Sequence, residues 1–218
     1  ELLHLRKLLQ LLYAGQKQQQ LLIRSEIRND LMKIAGKQSA GGDFYAPFWS
    51  DVKDHALGKA SLADLSKRRV EANARRERLY PVLTAGFLKW WTEQRRWTNE
   101  PFELIRGPSA LYNFNKFLTI KIDNFLSIRD GRGIDRSIYP YFYELPPLKN
   151  EAARIALWIF KSSFPALNFD NFEILDVTRG RIFAPDRCYL EGDEKQILTE
   201  RYEVLWRRYI ELEENFNK

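Results

Sequence analysis

Residues 118–147 read LTIKIDNFLSIRDGRGIDRSIYPYFYELPP, and the period of this stretch decides the fold class. Leu118, Ile120 and Ile122 alternate with Thr119 and Lys121. Residues two apart share one face of a strand but not of a helix, so the alternation predicts a strand. Asp130-Gly131-Arg132-Gly133 has the composition of a turn. Tyr139, Tyr141 and Tyr143 then alternate with Pro140 and Phe142, which predicts a second strand. Proline brings no N–H to a ladder, so that strand is expected at a sheet edge. Pro146-Pro147 ends it.

Helical period returns on both sides of this stretch. Downstream, Asn150 and Glu151 open a helix through Ala152–Phe160. Glu173–Thr178 and Arg181–Phe183 flank Arg179-Gly180 and read as a short hairpin. Leu198, Tyr202, Leu205, Tyr209, Leu212 and Phe216 then step alternately by four and three, an a/d seam on a helix over about 193–216. Upstream, Leu2, Leu5, Leu9 and Leu12 predict an amphipathic helix over 1–14, broken at Gly15. Gln16–Gln20 reads as a solvated helical turn or a linker, and Ile23, Ile27, Leu31 and Ile34 form a second helical stripe to Gly36. Phe44-Tyr45-Ala46-Pro47-Phe48-Trp49 is an aromatic knot, most simply part of a core. Ser61 with Asp64 is a helix start signal for a helix over 62–79, and Pro81 suits the first turn of another, which runs to about Trp97.

Together these periods predict a mainly helical α+β fold. Helices come first, a small antiparallel sheet lies in the second half, and a long amphipathic helix closes the chain. Residues 1–36 are expected to form an N-terminal helical segment, 37–43 (KQSAGGD) a loop or hinge, and 44–218 the main domain, with one domain overall as the alternative.

Composition narrows the function classes. The 218 residues are 44% hydrophobic and 29% charged, so the chain can bury a core and is not of the disordered or low-complexity class. Apolar runs such as Ile155–Phe160 fall far short of the ~20 residues of a bilayer span. Cys188 is the one cysteine, which excludes an internal disulfide or a cysteine-rich zinc site and points to the cytoplasm. Glu1–Tyr13 lacks the basic start and cleavage site of a signal peptide, and no secretory leader is expected. The chain carries no Walker A, G-x-G-x-x-G, G-x-S-x-G or H-E-x-x-H sequence, and it calls for no cofactor.

The charge is concentrated. Between Lys67 and Arg96 stand nine Lys and Arg against Glu71, Glu77 and Glu93, so this window carries the whole net charge of +6. Arg68, Arg69, Arg75, Arg76, Arg95 and Arg96 can neutralise phosphates, and Trp90, Trp91 and Trp97 beside them can stack on bases. The leading expectation is therefore a non-enzymatic cytosolic protein that binds DNA, RNA or another polyanion. The same arginines can equally serve internal ion pairs or a solvated face. A first alternative is a subunit of a protein complex or homo-oligomer, docking through its terminal amphipathic helices. Arg179 and Arg181 can then meet a partner's carboxylate or a phosphate. A second is a metal-dependent hydrolase or nuclease. On one helical turn Asp51, Asp54 and His55 can share a hard cation, although an Asp-His pair also serves as a cap or surface pair. Glu173 and Asp176 are the nearest approach to a strand-borne nuclease carboxylate pair, without a lysine at the right spacing. No histidine stands near Cys188 in sequence, and its thiol is expected to be inert.

Overall fold

The computed structural model describes residues 2–36 and 44–216, so the loop or hinge expected at 37–43 lies outside the described residues. In chain order the elements are β1 (Leu2–His4), α1 (Leu5–Tyr13), α2 (Gln16–Ile34), α3 (Tyr45–Ala56), α4 (Leu62–Ala72) and α5 (Leu79–Lys89). There follow β2 (Glu103–Leu104), β3 (Ala110–Asn113), β4 (Thr119–Ile122), β5 (Leu126–Arg129) and β6 (Asp135–Tyr141). The chain then forms α6 (Asn150–Ser163), β7 (Phe172–Asp176), β8 (Arg181–Phe183) and α7 (Glu194–Phe216). The fold is α+β and mainly helical.

The strands form two sheets, in the orders β1-β4-β3 and β2-β5-β6-β7-β8. Both sheets are mixed rather than wholly antiparallel, because β1–β4 and β6–β7 pair in parallel. The β6–β7 pair needs a crossover, and α6 supplies it. Pro140 therefore sits in a central strand, not at an edge. The β5 ladder stops at Leu126↔Ile138, so no partner on that side requires an N–H from Pro140. The hairpin expected around Arg179-Gly180 is present as β7–β8.

Period two sends alternate residues of the five-stranded sheet into two cores. Tyr139, Tyr141, Phe172 and Ile174 join residues of α1, α2, α6 and α7 in one buried cluster. Leu126, Ile128, Ile138, Leu175 and Val177 join residues of α3, α4 and α5 in the other. Each fully buried Leu, Ile or Phe contributes roughly 1.5–3 kcal/mol. The buried side chains of 1–36, such as Leu5, Leu8, Ile23 and Ile27, share the first cluster with Ile155 and Leu198. In the α7 seam, Leu198, Tyr202 and Leu205 are buried and Tyr209 and Leu212 pack against the same cluster, while the Phe216 side chain lies outside the described residues.

Three helix boundaries differ from the sequence expectation. Leu2–His4 is a strand, because β4 offers an open edge to which its backbone bonds in the register Leu3↔Ile120. Helix α4 starts at the expected Ser61 cap, whose Oγ accepts from the Asp64 amide at 3.4 Å, but it stops at Ala72. Asn73 there is extended and its side chain accepts from the Arg75 amide, which opens a short 3-10 turn over Ala74–Arg76. Helix α5 gives way to a π-helical turn at Trp90–Gln94, closed by the Arg95 amide donating to the Trp90 carbonyl at 2.8 Å.

Gly86 is the point where α5 meets the sheet. A Cβ there would stand 2.0 Å from the Val177 carbonyl oxygen, so only glycine permits this approach. Gly180, at φ +62°, faces it in the β7–β8 turn, where a Cβ would stand 2.5 Å from the Gly86 oxygen. No described helix is long and apolar enough to cross a membrane.

Candidate functional site

The break at Asn73 and the π turn divide the basic block into three groups with different fates. On α4, Arg69 turns inward. Its Nε and Nη2 donate to the two Asp51 oxygens, each at 2.9 Å, and Asp51 is 3% exposed. The carboxylate holds the Arg69 guanidinium above its ordinary pKa. Arg76 lies over the rings of Tyr80 and Phe44, at 5.3 and 5.9 Å, and donates to the Arg69 carbonyl. Arg78 pairs with Glu144 at 2.6 Å.

The π turn delivers the second group. Arg95 stacks on Trp91 at 3.6 Å and lies 4.6 Å from the Phe102 ring centroid. Its Nε and Nη1 are buried without a hydrogen-bond partner, and burial pushes the guanidinium below its ordinary pKa. Arg96 forms a two-bond pair with Asp186, at 2.5 and 2.8 Å, which lowers the Asp186 carboxyl and raises the guanidinium. Trp90 and Trp97 are buried, and the Trp91 ring is packed between Phe87 and Arg95. The three tryptophans that the sequence offered for base stacking are packing residues here, because each ring faces the second core or Arg95.

The third group remains on the surface. Lys67 and Arg68 on α4, Arg75 in the turn after it and Lys89 at the end of α5 are exposed. Among the described residues their side chains make no hydrogen bond or ion pair. The elements that engage Arg69 and Arg76 in internal contacts thus present Lys67, Arg68 and Arg75 to solvent.

The other sequence candidates are dispersed. Asp51 is held by Arg69, Asp54 reaches Lys59 at 3.7 Å, and His55 Nδ1 accepts from the Leu62 amide at 3.3 Å. Among the described residues no group of three or more His, Cys, Asp and Glu is placed to hold a metal ion. Arg179 is held within its turn by Asp176, Thr178 and the Glu144 carbonyl, whereas Arg181 is exposed beside the Phe183 ring. Cys188 is buried, which raises its thiol pKa. The apolar stripes of the terminal helices face one another and α6 in the first core.

Glu173 and Asp176 point to opposite faces of β7. Asp176 is fully buried and accepts from the Leu148 amide and the Thr178 hydroxyl. Glu173, 7% exposed, instead lines an open cavity of about 340 Å³ with Arg96, Trp97, Arg136, Asp170 and Asp186. Burial pushes its carboxyl above the ordinary value, against the Trp97 indole bond and the charges of Arg136 and Arg96. Arg136 and this cavity were missed from sequence. The one signal for them was a glutamate inside the apolar strand FEILDV, where a charge is rarely buried alone. Comparison with protein-family models, curated proteins and solved structures finds no match.

Proposed function

We propose that this chain is a cytosolic binding protein that engages nucleic acid or another polyanion through Lys67, Arg68 and Arg75. The observation that supports the reading is that these three cations are exposed and unpaired, while Arg69, Arg78 and Arg96 in the same block are matched to carboxylates. Binding on this surface works by charge, since Trp90 and Trp97 are buried. Charge alone gives little sequence preference, because phosphate contacts position a protein without reading bases.

Three phosphate contacts imply a log–log salt slope of about −2 to −3, or roughly a 20–40-fold loss of affinity from ~50 to ~200 mM salt. Fluorescence anisotropy with short single- and double-stranded DNA and RNA at those two salt concentrations tests the reading. Arg68→Glu with Arg75→Glu is expected to abolish binding. Salt-independent affinity, or binding unchanged in the double variant, would refute it.

A further inference from the structure

The cavity beside Glu173 lies apart from the α4 surface and has its own chemistry. Glu173 and Arg136 project from neighbouring parallel strands on the same face, two residues apart in the register, since Ile138 pairs with Glu173. Both line the cavity, yet they form no ion pair. Glu173 receives one long hydrogen bond, 3.4 Å from the Trp97 indole. Arg136 is held as loosely. Its Nη1 stands 3.5 Å from Asn171 Oδ1. Its Nε lies 3.6 Å from Asp130 Oδ2, and both of those atoms are buried without a hydrogen bond. Arg96 and Asp186, which also line the cavity, satisfy one another.

Glu173 and Arg136, of opposite sign and each held only by long contacts, the Arg136 ion pair to buried Asp130 included, therefore line one space. A simple anion would answer Arg136 but confront Glu173, Asp170 and Asp186. A simple cation would answer the carboxylates but confront Arg136 and Arg96. A small molecule that carries both charges answers both, and about 340 Å³ accommodates one of amino-acid size. We propose that this cavity binds a small zwitterion of the amino-acid class, with its ammonium on Glu173 and its carboxylate on Arg136.

The site has a pH signature. Arg96, Arg136, Asp170 and Asp186 are the charged groups lining the cavity with Glu173, and Trp97 is its neutral neighbour. The ammonium needs the ionised carboxylate, while burial favours the protonated one. Affinity thus falls as pH drops through the Glu173 titration, and binding in that range releases a proton.

Isothermal titration calorimetry of the full chain against glycine, alanine, glutamate, lysine and arginine tests the proposal, with acetate and methylamine as half-ligands. At least one amino acid is expected to bind about tenfold or more tightly than either half-ligand, and Glu173→Gln and Arg136→Met are each expected to weaken it by a similar factor. Glu173→Gln also removes the pH dependence, and thermal melts of each variant separate lost binding from lost fold. If Arg136→Met does not fold, the near-isosteric Glu173→Gln decides. No heat from any amino acid at ~10 mM with the folded chain would overturn the proposal. So would acetate or methylamine binding as tightly as every amino acid, which would make this a simple anion or cation site.

Discussion

Arg68 and Arg69 are adjacent in sequence and opposite in role, and substituting each in turn separates interior from surface. Arg69→Ala leaves the Asp51 carboxylate, 3% exposed, without the two bonds it receives at 2.9 Å. Removing one partner of a buried pair costs about 3–5 kcal/mol, because the remaining charge stays in the interior. The Arg69 side chain is itself 40% exposed, so water screens the pair from one side and the lower figure, ~3 kcal/mol, applies. In a chain of this size that lowers Tm by about 6–12 °C. Arg68→Ala is expected to change stability by no more than ~0.5 kcal/mol. Adding Asp51→Asn to Arg69→Ala restores part of the loss, since the orphaned charge is then gone. Urea unfolding at neutral pH, with the double-mutant cycle, measures all three. Equal losses for Arg68→Ala and Arg69→Ala, or no recovery in the double variant, would refute the inward orientation of Arg69.

Two further outcomes follow from contacts elsewhere. Gly86→Ala places a Cβ 2.0 Å from the Val177 oxygen, and either α5 or the β7 end must move; a loss of about 3 kcal/mol is expected by thermal melt, whereas Gly15→Ala, with open space around it, stays near wild type. Asp123 is held down to about 2 from its ordinary 3.8, first by its bond to His4 and then by Lys121. The folded chain therefore binds that proton less readily than the unfolded chain, so its stabilisation is present above pH 3.8 and lost as pH falls toward 2. Urea midpoints between about pH 4 and pH 2 should fall less steeply in Asp123→Asn than in wild type.

Much of the fold was legible because it is written in local period. The strand at Leu118–Ile122, the turn at Asp130–Gly133, the α6 start at Asn150 and the α7 seam each depend on neighbours within a few residues. The failures depended on distant partners. Leu2–His4 continues a leucine stripe that reads as helix, and only the free edge of β4, far along the chain, makes it a strand. Pro140 reads as an edge residue, and only the point at which β5 stops pairing allows it a central strand. Residues 62–79 read as one helix because Leu65, Ala72 and Leu79 keep its period. Asn73, a residue whose side chain competes for backbone amides, ended it.

The basic block shows the same division in the candidate site. Its +6 is a property of sequence, but a ligand responds to the charge left after folding. Asp51, Glu144 and Asp186, all from outside the window, pair with Arg69, Arg78 and Arg96 and halve that charge. Arg76 and Arg95 keep theirs but lie against aromatic rings. The arginine count thus overstated the surface, and of the tryptophans beside it Trp90 and Trp97 lie in the core while Trp91 packs half-buried against it. Glu173 was understated for the converse reason. One glutamate in an apolar strand has no periodic partner in sequence, and only the parallel β6–β7 register brings Arg136 to its cavity. Charge that sequence gathers into a run can be spent inside the fold. In the proposed zwitterion site a single carboxyl and a single guanidinium, 37 residues apart and each held by long contacts, ask more of a ligand than a bare cationic surface does, because the ligand must carry both signs.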